Sequence, residues 1–136
     1  MGDIQIAGDV ASTTVSTLAA SSFSDKRLKD NISAIESPVD LVNKLNPVKY
    51  DWKASVSNRK DLNVSLNEKY GFLAQEIEKV LPTAILKNKN SVNGVDRPLS
   101  VEYNNIIAIN TAAIKELIES VNDLKEEIKT LKENNG

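Results

Sequence analysis

Apolar residues recur at alternating intervals of four and three along the last part of the chain. They are Ile107, Ile114, Leu117, Val121, Leu124, Ile128 and Leu131. No proline or glycine interrupts residues 104–133, so the pattern predicts one long helix with a coiled-coil seam. The a positions of this seam are Ile114, Val121 and Ile128, and the d positions are Leu117, Leu124 and Leu131.

The width of this stripe bears on how many helices associate. The a and d residues alone favour two strands, but Ile118 at an e position and Ala113 at a g position widen the stripe toward a three-stranded bundle. Asn110 falls on a d position, where a polar side chain costs stability and can fix register. Charged residues surround a narrow seam in residues 119–133, which favours self-association. For residues 104–118, packing of the helix on its own domain remains an alternative.

Two short helices are predicted upstream. The first begins at Ser37-Pro38, because serine can cap a helix and proline suits the first helical position, and it ends at Asn46-Pro47. Its apolar face consists of Leu41, Val42 and Leu45. The second covers residues 74–81 and ends at Pro82. Its inward residues are expected to be Leu73, Ile77, Val80 and Leu81.

Short strands complete this region. Residues 48–52 alternate apolar with charged side chains, as in a strand with one buried face, and residues 58–67 read as a polar hairpin loop. Gly71 permits a close backbone approach or a bend. Residues 84–86 and 99–101 read as two strands, with a strong turn signal at Asn93-Gly94 between them.

Residues 3–23 are rich in serine and threonine and hold few large apolar side chains, so they cannot form a core of their own. They fit either the end of a larger β-rich body or a disordered tag. The predicted fold is α+β: a small mixed helix and hairpin domain followed by a long helix in a trimeric coiled-coil-like bundle. We divide the chain into a stub at 1–23, a domain at 24–103 and a trimerising helix at 104–136.

Composition restricts the chemistry. The net charge is only -2, which gives no general attraction to nucleic acid or an anionic membrane, and no apolar run approaches the roughly 18 residues of a membrane span. The chain has no cysteine and no histidine, which removes thiolate nucleophiles, the usual general base and the commonest metal ligand. We therefore expect no cofactor, no metal, no nucleic-acid partner and no membrane partner.

Ser24 and Lys29 are the candidate reactive pair at the change from the polar stretch to a charged run. A serine hydroxyl is a weak nucleophile, and without histidine the plausible activator is a neutral lysine amine. Five residues allow Lys29 to fold back onto Ser24 if the segment turns. Asp25 could orient the lysine or activate the neighbouring peptide bond. The alternative is a Ser24 helix cap with Asp25 in the first turn and solvated cations beside it.

Four motifs occur together in order. They are Ser24 to Ile32 (SDKRLKDNI), Leu45 to Trp52 (LNPVKYDW), Gly71 to Pro82 (GFLAQEIEKVLP), and Tyr103 followed by Ala112 to Leu117 (AAIKEL). This combination resembles the C-terminal intramolecular chaperone domain of phage tail spikes, fibres and neck appendages, the endosialidase-type autoproteolytic domain of peptidase family S74. The resemblance covers about residues 24–131.

The resemblance implies a homotrimer that registers an upstream β-helical fibre of the same polypeptide and then cuts itself free. It implies a dyad of Ser24 and Lys29, an SD pair of Ser24 and Asp25, and a cut at Ser24-Asp25. The chain would act during virion assembly in the host cytoplasm and leave the mature fibre. The residues themselves leave the side of the cut open. An N-to-O acyl shift would break Phe23-Ser24, whereas a cut after Ser24 needs the Asp25 carboxylate, a lysine-activated water or a lysine from a neighbouring chain.

Other functions remain as alternatives. A non-catalytic trimerisation module would share the helix but leave Ser24 inert. A host-receptor-binding tip of a phage fibre would expose aromatic side chains in a groove, whereas here we expect all of them in the core. These aromatic residues are Tyr50, Trp52, Tyr70, Phe72 and Tyr103. A serine hydrolase acting on other proteins would need an oxyanion-binding glycine loop near Ser24, and the sequence shows none.

Overall fold

The computed structural model describes residues 23–53, 68–92 and 94–136. The chain divides after Glu36 into two units, and residues 23–36 are the described part of the first. The second unit contains α1 (Pro38–Lys44), β1 (Val48–Tyr50), β2 (Lys69–Gly71), α2 (Ala74–Val80), β3 (Ile85–Lys87), β4 (Leu99–Val101) and α3 (Tyr103–Asn135). This order confirms the α+β class, with small hairpins preceding a long helix. Among the described residues, no helix is long and apolar enough to span a membrane.

The first helix, α1, begins at the predicted proline but not with the predicted cap. Ser37 lies in the left-handed region, with φ 48 and ψ 51, and its side chain makes no capping hydrogen bond. The carboxylate of Glu116, on α3, accepts the backbone N–H of Val39 at 3.3 Å instead. An acceptor from a distant helix therefore satisfies the start of α1 and ties it to α3.

The first hairpin pairs β1 with β2 in antiparallel register, with Val48 opposite Gly71. A Cβ atom on Gly71 would lie 3.2 Å from Cε1 of Tyr50 and 3.3 Å from the hydroxyl of Tyr103. The expected close approach at this glycine is confirmed, although the approaching groups are tyrosine side chains rather than backbone. The predicted loop at 58–67 lies outside the described residues.

The second hairpin pairs β3 with β4, one residue later on the β3 side than predicted, and Ile85 lies opposite Val101. Farther out, Val92 and Val95 exchange backbone hydrogen bonds of 2.8 and 2.9 Å around a turn in which Gly94 has φ 78. The positive φ is the conformation for which glycine is suited, so the predicted turn is confirmed at Gly94. Asn93 lies outside the described residues.

The core lies where α2, the second hairpin and α3 meet. Ile77, Ala84 and Ile106 are almost fully buried there. The half-buried residues packed around them are Leu45, Phe72, Leu81, Ile85 and Val101. The prediction for Leu73 was wrong, since its side chain is 47% exposed. Leu73 has extended backbone, with φ -85 and ψ 123, and precedes the first helical residue, so the helical period does not carry it inward.

The third helix, α3, runs for 33 residues, or about 50 Å at 1.5 Å per residue. Its buried residues are Ile106, Ile109 and Ala113, all in the first third. All residues from Ile114 onward are exposed. The long helix is confirmed, and so is the alternative that its first part packs on its own domain; self-association of the rest remains a prediction.

The aromatic side chains are less buried than predicted. Phe72 and Tyr50 are half-buried, but Trp52 and Tyr103 are more than two-fifths exposed and Tyr70 is 78% exposed. Tyr70 lies opposite Lys49 across the first hairpin. Because strand side chains alternate, Tyr70 and Lys49 share the outer face of that hairpin, and the core position predicted for Tyr70 was wrong.

Candidate functional site

A tight turn shapes the segment that contains the candidate reactive pair. Residues Lys26–Leu28 form one turn of 3-10 helix, closed by hydrogen bonds from the Leu28 N–H to the Asp25 carbonyl at 3.0 Å and from the Lys29 N–H to the Lys26 carbonyl at 3.1 Å. The chain is extended again at Lys29, with φ -123 and ψ 141. This turn reverses the chain between Ser24 and Lys29.

Ser24 and Lys29 meet across this turn. The ammonium Nζ of Lys29 donates a hydrogen bond to the hydroxyl Oγ of Ser24 at 2.6 Å. Both residues belong to the same chain, so Lys29 can reach its serine in cis. Both residues are also exposed. The side chains thus have the spacing that proton transfer requires, in surroundings open to water.

Asp25 contacts Arg27, and not Lys29 as the sequence analysis considered. Its carboxylate accepts the backbone N–H of Arg27 at 2.8 Å. It also forms a bidentate salt bridge with the Arg27 guanidinium, with distances of 3.1 Å to Nε and 2.8 Å to Nη2. The hydrogen bond from the Arg27 side chain, and then that from its backbone, lower the pKa of the Asp25 carboxyl below its usual value. Asp25 also caps the 3-10 turn, the role that the alternative interpretation gave to Ser24.

The contribution of Arg27 was not foreseen from the sequence. An Asp-x-Arg spacing at the start of a one-turn helix lets the arginine fold back on the capping carboxylate, and this is the signal that could have indicated the pair. The pair leaves Lys29 as the only cation described at the Ser24 hydroxyl. Asp25 therefore shapes the turn that brings Lys29 to Ser24, while its own carboxylate is directed toward Arg27.

The chemistry available to this pair is limited by protonation. A lysine ammonium has three donors and no acceptor, so in that form Lys29 holds the serine oxygen but cannot take its proton. As a neutral amine, the same Nζ would be positioned to accept that proton and leave a nucleophilic oxygen or activate a water.

A second candidate site is the seam of α3. Its exposed apolar residues are Ile107, Ile114, Leu117, Ile118, Val121, Leu124, Ile128 and Leu131. Each exposes about half or more of its surface in the single chain. A contiguous apolar stripe of this length on an exposed helix is typical of an association surface.

Comparisons with known proteins agree on one group. The family model Peptidase_S74, described as chaperone of endosialidase, matches residues 24–86, and its first matched residue is Ser24. The long tail fiber protein Gp37 of Salmonella phage S16 is 34% identical over 110 residues, which cover 81% of this chain and 14% of that protein. The Gp37 protein of Enterobacteria phage K3 is 31% identical over 105 residues, covering 77% of this chain and 8% of that protein. The chain thus spans only a small part of the length of these relatives.

Proposed function

We propose that this chain is an intramolecular chaperone of a phage fibre. The premise is that it belongs, through residues 24–86, to the Peptidase_S74 family of endosialidase chaperones. In this proposal three copies associate, hold an upstream β-structured fibre of the same polypeptide in register, and then release themselves by cutting at Ser24-Asp25. The fibre assignment is supported by the similarity to the long tail fiber proteins of two phages.

One observation carries the catalytic part of this proposal. The hydrogen bond of 2.6 Å between Lys29 and Ser24 forms at the first residue matched by the family model. The lysine and the serine, five residues apart, meet across a turn that backbone hydrogen bonds close and that the contacts between Asp25 and Arg27 support. The chain therefore uses four residues of a short segment to hold one hydroxyl beside one amine.

The chemistry of the proposed cut follows from what each group can do. Attack by Ser24 on its own carbonyl carbon would close a strained four-membered ring, and the Asp25 carboxylate is held by Arg27. A water molecule that gives its proton to neutral Lys29 is the remaining nucleophile, and the Ser24 hydroxyl holds that amine in place through its hydrogen bond. It adds to the Ser24 carbonyl carbon, the bond from that carbon to the Asp25 nitrogen breaks, and the nitrogen takes up the proton. The second proton of the water passes from the new carboxylic acid to the amine, so the products are a carboxylate on Ser24 and an ammonium group on Asp25.

The exposure of Lys29 connects cutting to assembly in this proposal. A solvated ammonium is a poor base, and burial favours the neutral amine. The described part of a single chain leaves Lys29 exposed, so we expect cleavage only in the assembled state. Such coupling would prevent the chaperone from leaving before the three chains are in register.

The seam of α3 supports association of identical chains in parallel. In a parallel bundle a g residue faces the e residue five positions later on the neighbouring helix. Glu127 at g and Lys132 at e form such a pair with opposite charges, and Ala113 and Ile118 form an apolar one. An antiparallel arrangement would place e positions against each other, including Lys125 and Lys132. The charge pattern thus favours three parallel helices starting at the same level.

Registration has a physical value for a fibre made of intertwined β-structure. Pairings between distant residues fold slowly because the entropy of loop closure must be lost before contacts form. A tether that holds three chains at the same level raises their effective concentration for one another. In our proposal the work takes place during virion assembly in the host cytoplasm, without nucleic-acid, membrane, metal or cofactor partners.

Substitution Ser24→Ala tests the proposal in a chain that includes its natural upstream segment. We expect the unmodified protein to yield two fragments whose intact masses place the break between Ser24 and Asp25. Ser24→Ala should remain one polypeptide and keep the same sedimentation coefficient as the uncut assembly. Ser33→Ala, which alters another exposed serine, is the matched control and should be cut normally. Cleavage at the same bond and with the same yield in Ser24→Ala would exclude the serine.

A non-catalytic trimerisation module is the second candidate function. The observation in its favour is the open position of the reactive pair, since Ser24 and Lys29 both face solvent in the single chain. It predicts that the unmodified protein associates but stays uncut at every concentration and incubation time. The mass measurement described above distinguishes the two functions.

A further inference from the structure

The N-terminal half of α3 already uses one side of the helix within its own chain. Ile106, Ile109 and Ala113 are buried against α1 and the core. In the heptad set by Leu117 and Leu124, Ile106 and Ala113 are g positions, which flank the seam. In a parallel bundle, a neighbouring helix would therefore contact the domain that covers the g side of this half of α3. It would not contact the surface of α3 itself on that side.

The seam itself continues through this half. Counting back from Leu117 in the same steps of three and four gives Ile114, Asn110, Ile107 and Tyr103. Ile107 is 60% exposed and Tyr103 is 46% exposed, although their helix is packed on its other side. The exposed stripe thus reaches the first residue of α3 with one polar interruption, at Asn110.

A groove opens at the point where the seam reaches Tyr103. It has a volume of about 490 Å³, and its walls come from β1, β2 and the start of α3. Lys49, Tyr70, Phe72 and Tyr103 line it, and the rings of Phe72 and Tyr103 lie 6.3 Å apart. We call it the aromatic groove. Gly71 forms part of the lining, and a Cβ atom there would lie tightly against Cε1 of Tyr50, at 3.2 Å, and the Tyr103 hydroxyl, at 3.3 Å.

We infer that the aromatic groove receives the first turns of α3 from a second copy of the chain, an inference that rests on the proposed parallel association. Tyr103 belongs both to the seam and to the groove, so the two surfaces form one continuous apolar area. Helices that start at the same level bring the neighbour's first turns to the height of the groove. The second copy would face the domain with the e side of its α3, which carries the exposed polar residues Asn104 and Thr111.

The interface between copies therefore changes character along α3. At the level of Tyr103 and Ile107 a helix contacts a neighbouring domain, and from Leu117 onward a helix contacts helices. Exposed aromatic rings suit the first kind of contact, since tyrosine and phenylalanine are enriched in the cores of protein interfaces. Tyr70, with 78% of its surface exposed in the single chain, is the residue whose environment this inference changes most.

Nitration of tyrosine by tetranitromethane, read by peptide mass spectrometry, tests the inference on the full chain. The reaction is compared between the unmodified assembly and Leu124→Asp, whose seam cannot close and whose secondary structure is checked by circular dichroism. We expect Tyr70 to react several-fold more slowly in the assembly, while Tyr50, which does not line the groove, serves as the internal control. Equal reaction of Tyr70 in the two states would overturn the inference.

A second variant keeps the test valid if Leu124→Asp does not fold. Tyr70→Arg leaves the seam intact and places a charge in the groove, and we expect it to weaken association several-fold in sedimentation equilibrium. Val95→Arg, which changes an exposed apolar residue on the other hairpin, should leave association unchanged. Normal association of Tyr70→Arg would also overturn the inference. If the unmodified chain sediments as a monomer, the proposed function fails first, and the two failures are thus distinguishable.

Discussion

The two halves of α3 share one periodicity in sequence and differ in what surrounds them. Up to Ala113 the helix has a buried face at Ile106, Ile109 and Ala113 and an exposed seam beside it. From Ile114 onward only the seam remains, and every residue is exposed. The first half, which we call the docked half, holds the domain together. The second half, which we call the free half, buries no residue against the domain and is tied to it at its start by the Glu116 carboxylate.

The difference allows one helix to pack on its own domain and also to present a surface for the association that we propose. The docked half carries apolar residues on two sides, so it can contact its own domain and still present a seam. The free half carries Lys and Glu on every side but one, and an isolated helix of this kind gains little stability from propensity alone. Substitutions should therefore separate folding of the chain from its association.

The largest expected effect comes from a charge in the free half. Leu124→Asp would bury a carboxylate from each chain at one level of the seam, where an unpaired buried charge costs several kcal/mol. We expect association to be lost at micromolar concentration, as measured by sedimentation equilibrium, while the domain stays folded. Asn122→Asp places the same carboxylate outside the seam and should associate normally. Unfolding of the domain in Leu124→Asp would contradict the separation of the two halves.

The next effect distinguishes two adjacent residues of the docked half. Ile106 is 2% exposed and Ile107 is 60% exposed. Ile106→Ala should lower the free energy of unfolding by about 2–5 kcal/mol, because it opens a cavity in the core. Ile107→Ala should change it by less than about 0.5 kcal/mol. Urea denaturation in the Leu124→Asp background measures both without a contribution from association, and equal losses would show that α3 docks by another face.

The smallest effect lies at the boundary between the halves. Glu116→Ala removes the carboxylate that accepts the Val39 N–H, and loss of such a helix cap costs about 0.5–2 kcal/mol. We expect a lower free energy of unfolding and unchanged association. Glu119→Ala, one turn farther along in the free half, is the control and should have no measurable effect on the monomer. A loss of the same size in both variants would mean that the contact of Glu116 with α1 contributes nothing.

Much of the fold was predictable because it depends on local patterns. Proline at the start of α1, the turn at Gly94 and the uninterrupted period of α3 each act within a few residues. The cap of α1 was not predictable in this way. Glu116 is 77 residues from Val39 in sequence, and no local signal connects them. Ser37 offered a local solution, but its left-handed backbone does not direct the hydroxyl to the helix.

The site shows the same division between local and distant information. The sequence predicted that a turn could bring Lys29 to Ser24, and the structure has the two atoms 2.6 Å apart. It did not predict that Arg27 would hold the Asp25 carboxylate, because both lysine and arginine were available neighbours. The exposure of Tyr70 was missed for another reason. An aromatic residue in a short strand is buried or exposed according to the face of the hairpin on which it lies, and in the observed register Tyr70 lies opposite Lys49.

The position of the seam along the chain also orders events in time. Every residue of the core, from Leu45 to Ile106, precedes the free half, which runs from Ile114 to Leu131. A ribosome adding about 5–20 residues per second completes the domain before it finishes the free half, on the order of seconds later. The residues of the domain are therefore made before those of the free half. In the association that we propose, partly made chains lack the part of the seam that lies beyond the domain.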